Sequence, residues 1–420
     1  MNQNHVQKWD TAYEVKAVIL LSLGLGLVGL DRFMVFPMFP TIMRDLHLNY
    51  ANLGEISGIL SLTWGLSSMC LGRLSDVIGR RKVVVGSMLV FSLLVGISGI
   101  ATGLGTLLFV RALMGFADGA YAPPSMIATL EASKPSRHGM NIGFQQMMMP
   151  LFGLAVAPIL VTHLLQDNVS WRWIFLMVTP FGLIITLISY FVIRPPSKLA
   201  TVEHTVVHDS AKHKWRDLFK YRNVIHNMFG MLCWIMSLTV TTAFLPNYLM
   251  DYLHLSLLKM GFIMSAIGFG ATAGALLMPT ASDWFGRKPV VIFSTLAALA
   301  ALLVFIFSGS DTEILFICLL LTSFFNFALI SLTAGPVVAE SVPNTLMAAA
   351  SGLVICTGEW FGGGIAPIIT GFVIQAYGIQ HVLYLGVAAL VAGFINSCFL
   401  IETAPRRLRK IKNNTSVTKV

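Results

Sequence analysis

Apolar residues recur along this chain in runs of about twenty positions that short polar segments separate. A helix of that length spans the hydrocarbon core of a bilayer, which is about 30 Å thick. The pattern therefore predicts an all-α membrane protein with both termini on the same side. We predict twelve membrane helices, over residues 16–39, 52–72, 83–102, 105–128, 140–163, 171–194, 226–250, 257–280, 289–308, 312–338, 346–376 and 380–402.

The composition and the distribution of charge agree with this pattern. Of the 420 residues, 56% are hydrophobic and 11% are charged, whereas soluble proteins carry about 25% charged residues. The net charge is +9, and Lys and Arg concentrate in the segments on the side of the termini. Because short cytoplasmic loops are enriched in Lys and Arg, we expect both termini in the cytoplasm and the chain in the inner cell membrane. The basic charge is thus a topology signal and does not indicate a nucleic-acid partner.

A polar segment divides the chain into two similar halves. We predict a six-helix half over 1–194, a cytoplasmic linker over 195–225, a second six-helix half over 226–402 and a cytoplasmic tail over 403–420. GRLSDVIGRRK recurs as ASDWFGRK, which places Asp76 and Asp283 207 residues apart. Gly143 and Gly153 recur at Gly352 and Gly362, each 209 residues later. Such a repeat is typical of transporters built from two halves that rock against each other.

The duplicated loop resembles the conserved loop of the major facilitator superfamily, between helices 2 and 3 and again between helices 8 and 9. The resemblance covers essentially the whole chain and implies two six-helix repeats. Contacts that break and form in such loops can hold one of two conformations. A basic turn that serves topology alone is the alternative. The gating candidates are Gly72, Asp76, Gly79, Arg80, Arg81, Asp283, Gly286 and Arg287.

Shorter motifs resemble the anion:cation symporters of that superfamily, which include transporters of hexuronate, galactonate and sialic acid. They are LDRF in helix 1, RALMGFADGAYAPP in helix 4, PSRHGMNIGF in helix 5 and WRWIFL in helix 6. The resemblance implies proton-coupled uptake of a small organic anion. Asp118 stands where that group usually has Glu, so its carboxylate has a shorter reach.

Four ionisable residues lie near bilayer depth in the first half: Asp31, Arg32, Arg111 and Asp118. Charges there are costly and should face a cavity or one another. Arg32 offers a planar fork that suits a carboxylate, and the resemblance implies that it contacts the anion. We expect Asp31 and Asp118 to carry protons and Arg111 to lie near Asp31. Buried ion pairs that only fix helix packing are the alternative.

The remaining candidates for the cavity are single polar residues. Glu359 in the second half could carry a proton, repel the wrong anion or form an interhelical hydrogen bond. Other residues could line the substrate site or bond between helices: Trp64, Tyr121, Gln145, Asn247 and Asn326. The five cysteines are scattered singly, so the sequence suggests no metal, disulfide or cofactor,. No nucleophile–base pair emerges, and we expect no enzyme activity.

Two other functions fit parts of the sequence. A proton antiporter that exports drugs or metabolites would share the fold, although its usual GP…GG element in helix 5 is broken here as MPLFGL. A membrane sensor with a transporter fold would be expected to signal through an added cytoplasmic domain or a docking surface. Sodium could also replace the proton as the coupling ion, since backbone carbonyls can bind it.

Overall fold

The structure is a computed structural model that describes residues 10–194, 215–343 and 346–404, of which 69–77, 215–216 and 348 are described by their backbone alone. The described residues form helices joined by short connections, without a strand. Twelve helical stretches follow one another: α1 (Thr11–Asp45), α2 (Tyr50–Ile78), α3 (Arg80–Ser98), α4 (Leu104–Ala132), α5 (Pro135–Gln166), α6 (Trp171–Val192), α7 (Arg222–Tyr252), α8 (Leu257–Phe285), α9 (Arg287–Phe307), α10 (Thr312–Ala339), α11 (Ala349–Tyr377) and α12 (Ile379–Cys398).

These stretches match the twelve predicted spans in order and approximate position. Ten of them are long and apolar enough to cross a membrane. The helices α2 and α4 are not among these ten, but each has 29 residues, or about 43 Å at 1.5 Å per residue. Their length is sufficient to span the bilayer beside the other ten.

Proline interrupts three of the helices near mid-depth. In α1 the α-helix ends at Phe33 and resumes at Val35, because Pro37 has no N–H to donate to the carbonyl of Phe33. In α5 and α11 the wider π-helical turns Leu151–Val156 and Gly358–Ile365 precede an Ala-Pro pair. Such turns often mark functional positions in a helix.

The two halves repeat the same backbone turn where α3 and α9 begin. Gly79 and Gly286 precede these helices with φ angles of +101° and +99°, a region that glycine adopts without strain. These two glycines are 207 residues apart, like the two aspartates of the duplicated loop. The sequence repeat is therefore also a structural repeat.

The halves pack tightly toward the end of the bundle that carries the α1–α2 connection, here called the far end. The α2 residue Gly54 lies so close to the carbonyl oxygen of Pro367 in α11 that a Cβ atom would collide with it. The hydroxyl of Tyr50 in α2 donates to Asp251 Oδ2 in α7 over 2.8 Å, and the Tyr50 backbone N–H donates to Gln375 Oε1 over 3.2 Å. Backbone packing and hydrogen bonds thus close the far end between the halves.

Candidate functional site

The centre of the interface contains an arginine that bridges the two halves. Arg32 of α1 donates through Nη2 to Glu359 Oε2 over 2.7 Å and through Nη1 to Glu359 Oε1 over 3.4 Å. The same Nη2 atom donates to Ser61 Oγ over 3.1 Å. Because Glu359 lies on α11, the guanidinium fork of one half holds a carboxylate of the other half.

Aromatic rings complete the surroundings of this guanidinium. Its carbon atom lies 4.9 Å from the ring centroid of Trp64 and 5.5 Å from that of Phe33. Stacking of this kind favours Arg over Lys. The side chains of Arg32 and Glu359 are 8% and 12% exposed. Loss of one partner from an ion pair so removed from solvent leaves an unpaired buried charge, which strongly destabilises the protein.

A second group of charges lies beside Arg32 and is more deeply buried. Arg111 of α4 donates through Nη1 to the backbone carbonyl of Asp31 over 2.7 Å. Asp31, Arg111 and Asp118 are each at most 1% exposed. Among the described residues, neither carboxylate oxygen of Asp118 has a hydrogen-bond partner, and neither does Oδ2 of Asp31. Arg32 and Arg111 both act electrostatically on Asp118.

The structure therefore brings all five ionisable candidates into one cluster. Arg111 and Asp118 lie seven residues apart on one helix, a spacing that corresponds to about 10.5 Å along the axis. Arg111 contacts the Asp31 backbone of α1 instead of pairing directly with Asp118. We call Asp31, Arg32, Arg111, Asp118 and Glu359 the central cluster.

Of the other residues that the sequence proposes for the cavity, only Trp64 contacts Arg32. The Tyr121 hydroxyl donates to the Leu21 carbonyl over 2.8 Å and is buried within the first half. Gln145 donates to Ser125 Oγ over 3.1 Å, and Asn247 donates to Asp251 Oδ2 over 3.0 Å near the far end. Asn326 is buried in α10, and its Oδ1 has no partner among the described residues.

The site is lined by three hydroxyl residues that the sequence did not predict. Ser57, Ser61 and Thr239 line the same recess as Arg32, together with Phe33, Phe36 and Arg111. Ser57 and Ser61 are four residues apart on α2, with Trp64 three residues further on. That spacing places Ser57, Ser61 and Trp64 on one face of the helix, which is the signal that could have revealed the two serines.

The gating candidates lie at the opposite end of the bundle from the far end, and Arg80 and Arg287 each form an ion pair within their own half. Arg80 pairs with Glu131, and Arg287 pairs with Glu340 over 2.8 Å and with Asp283 over 2.5 Å. Gly72 and Asp76 fall in the backbone-only part of α2. The guanidinium of Arg81 lies 5.2 Å from the ring centroid of Tyr190.

Comparison with known proteins agrees with this architecture. The family model for the Major Facilitator Superfamily matches residues 21–363 and 228–419. The chain belongs to this family, and it is a multi-pass membrane transporter and not an enzyme.

Two relatives and one solved structure match this chain over most of its length. The chain is 22% identical to a D-galactonate transporter of Escherichia coli O6:H1 over 421 residues, which cover 93% of this chain and 96% of the relative. It is 22% identical to the sialic acid transporter NanX of Escherichia coli K12 over 388 residues, which cover 90% and 91%. A solved structure with the same fold is that of a bacterial homolog of the human lysosomal transporter Spinster, in an inward-facing and unoccupied conformation. The TM-score is 0.74 at 15% sequence identity, and the match covers 92% of this chain and 98% of that chain.

Proposed function

We propose that this transporter takes up a small organic anion together with protons, and that Arg32 binds the carboxylate of the anion. The observation that carries the proposal is the forked contact between Arg32 and the Glu359 carboxylate at the interface of the halves. This contact supports a site that binds a carboxylate between two surfaces that separate during transport. Trp64 and Ser61 hold the guanidinium in place for it.

The charge of the central cluster supports coupling to protons. Three carboxylates, those of Asp31, Asp118 and Glu359, accompany the two guanidinium groups of Arg32 and Arg111. If every group is ionised the cluster carries one net negative charge, which one proton neutralises. A monovalent anion adds another negative charge, and burial makes that charge costly unless a second proton enters. The anion and one proton then cross together without net charge.

In this scheme Asp31 and Asp118 are proton carriers, and Arg111 holds them in one electrostatic unit. Burial disfavours their ionised forms and the neighbouring guanidinium groups favour them. A bound anion takes over part of the charge of Arg32, so the central cluster as a whole takes up one proton as the anion arrives and releases it as the anion leaves, and Asp31 and Asp118 carry protons to and from it. Sodium is the alternative coupling ion, and the transport assay below distinguishes it.

The proposed direction is uptake across the inner membrane, with the lipid bilayer around the helices and both termini in the cytoplasm. The closed far end then faces the outside, and the halves alternate between closure at the two ends. The loops that begin α3 and α9 are the proposed gates at the cytoplasmic end. The relatives that transport D-galactonate and sialic acid support sugar acids as the substrate class.

The test is uptake of labelled D-galactonate and sialic acid, with lactate and succinate as other acids, into liposomes that contain the purified protein. We expect an inward proton gradient to drive uptake of at least one acid, whereas a sodium gradient alone should not. Arg32→Lys should weaken the apparent affinity about 10- to 100-fold, since loss of a charged hydrogen bond costs about 1.5–3 kcal/mol. Arg44→Lys, on the same helix but outside the cluster, is the matched control.

Wild-type affinity in Arg32→Lys would remove Arg32 from the anion site. Uptake driven by sodium and insensitive to pH would contradict proton coupling. Proton-driven export of a cation, without uptake of any acid, would favour the antiporter instead.

A further inference from the structure

We infer that Glu359 is a built-in competitor for the anion site: the substrate carboxylate displaces it from Arg32, and the displaced Glu359 takes up the proton that accompanies the anion. This inference rests on the proposed function and assigns to Glu359 the protonation step that depends on substrate.

The geometry makes Glu359 a substitute for the substrate. Both of its carboxylate oxygens accept from the Arg32 guanidinium, at 2.7 and 3.4 Å. The Nη1 and Nη2 atoms of a guanidinium hold one carboxylate at a time in this forked arrangement, so a substrate that binds through the same two nitrogens must replace Glu359. Ser61 Oγ also accepts from Nη2, over 3.1 Å.

The charge of the displaced residue then requires a proton. Glu359 is 12% exposed and its bond to Arg32 is its ion pair among the described contacts. Without Arg32 an ionised Glu359 would be a nearly buried, unpaired charge, which is strongly destabilising. Protonation removes that charge. In atoms, the substrate carboxylate takes the place of the Glu359 carboxylate on Arg32, and one proton adds to a Glu359 oxygen.

Glu359 lies in an irregular, glycine-rich part of α11. It lies in the π-helical turn Gly358–Ile365, and Gly362, Gly363 and Gly364 follow it. Gly363 leaves space beside the Glu359 carboxylate, because a Cβ atom at this position would lie 3.0 Å from Glu359 Oε2. A π-helical turn of this kind often marks a functional position. Because Arg32 and Glu359 belong to different halves, the exchange also removes a direct bond between the halves.

Glu359 has no acidic counterpart in the first half of the repeat, as expected for a residue with a role of its own at the anion site. The position 209 residues before Glu359 is Pro150 in α5, which carries no charge. The acid is therefore not a general feature of the repeated architecture. It lies opposite Arg32, whose guanidinium contacts it across the interface of the halves.

The test is isothermal titration calorimetry on the full-length protein, with the acid of the uptake panel that gives the highest rate. Titration in two buffers with different ionisation enthalpies also gives the number of protons taken up. We expect Glu359→Gln to bind the anion about tenfold more tightly, because the competitor is weakened. We also expect proton uptake per anion to fall by about one. As the pH rises, the affinity of the wild type for the anion should fall by up to about tenfold per pH unit in the range where binding takes up one proton. Glu359→Gln should flatten this dependence on pH.

Two further variants make the test decisive. Glu359→Asp keeps a titratable group with a shorter reach, so it should bind the anion more tightly than wild type and still take up the proton. Glu55→Gln on α2, which removes a carboxylate that accepts from Asn52 outside the cluster, should leave both quantities unchanged.

Weaker binding in Glu359→Gln with unchanged proton uptake would overturn the inference and make Glu359 a residue that positions Arg32. In that outcome the proposed function stands, since wild type still binds an acid and takes up protons. If the wild type binds and transports no acid, the proposed function fails, and the inference fails with it.

Discussion

The two halves of this transporter share a backbone plan but differ at its centre. At the offset of 209 residues, the charged positions Asp31, Arg32, Arg111 and Asp118 correspond to Val240, Thr241, Leu320 and Phe327. The second half contributes one acid to the central cluster, Glu359, which has no charged counterpart in the first.

The two halves are alike at the turns and loops that we propose as gates. The turns at Gly79 and Gly286 have nearly equal φ angles, and both halves carry an Arg–Glu pair next to that turn. The π-helical turns of α5 and α11 also overlap at the repeat offset. In the proposed mechanism the fold therefore supplies the movement twice, whereas the chemistry depends on four charged residues of the first half and one residue, Glu359, of the second.

The largest expected effect comes from removing a proposed proton carrier, Asp31, from the first half. Asp31→Asn should abolish uptake driven by a proton gradient, because an amide cannot carry the proton, while exchange of labelled for unlabelled anion across the membrane persists. Parallel assays of gradient-driven uptake and counterflow measure this. Asp167→Asn, in the exposed far-end connection, is the control.

Loss of both activities in a folded Asp31→Asn protein would assign Asp31 a structural role. Undiminished gradient-driven uptake would show that the cluster needs no proton at this residue.

A smaller effect compares the duplicated loops. Glu340 accepts two hydrogen bonds from Arg287 and one from Thr403, and the Arg287 side chain is 7% exposed. Glu131 accepts from Arg80, whose side chain is 16% exposed. We expect Glu340→Gln to lower the free energy of unfolding by about 1.5–3 kcal/mol and Glu131→Gln by less. Thermal unfolding of the purified variants ranks them.

Equal losses of stability in these two variants would mean that the described contacts do not distinguish the loops. A larger loss in Glu131→Gln would reverse the proposed order of the two pairs.

The smallest effect concerns closure between the halves. Tyr50→Phe removes the hydroxyl that donates to Asp251, which should weaken far-end closure by about 0.5–1.5 kcal/mol, or roughly 2- to 10-fold. The readout is maleimide labelling from the far side of a cysteine placed at Ser57, in an otherwise cysteine-free protein.

Tyr121→Phe is the matched control, because it removes a hydroxyl that bonds to Leu21 within one half. Equal labelling rates in the two variants would show that the Tyr50 hydroxyl does not contribute to closure.

The sequence predicts the fold well because the thickness of the bilayer fixes the length of each span. The repeated loop also occurs after the second helix of each half, which confirms the order of the helices. It misjudges helix ends that proline modifies. The helix α1 continues to Asp45 beyond the predicted end at residue 39, although Pro37 interrupts it.

The site is harder to predict than the fold. Lipid is as apolar as the protein core, so the hydrophobic pattern does not reveal which face of a helix points inward. In the sequence, Tyr121 and Asn247 could therefore line the cavity or bond between helices, and the structure shows Tyr121 bonded to Leu21 of α1 and Asn247 bonded to Asp251 on its own helix. The pair of Arg32 and Glu359 joins residues 327 positions apart, and only the packing of the two halves brings them together.

The most direct test of the account uses liposomes that contain the purified protein and a lumenal pH dye, with the membrane voltage held near zero and no imposed pH gradient. D-Galactonate, sialic acid, lactate and succinate are added outside in turn. The account predicts that at least one acid acidifies the lumen, and that Arg32→Lys shifts this response to higher concentrations while Arg44→Lys does not. Entry of a labelled acid without acidification, or lumenal alkalinisation when a cation is added, would contradict it.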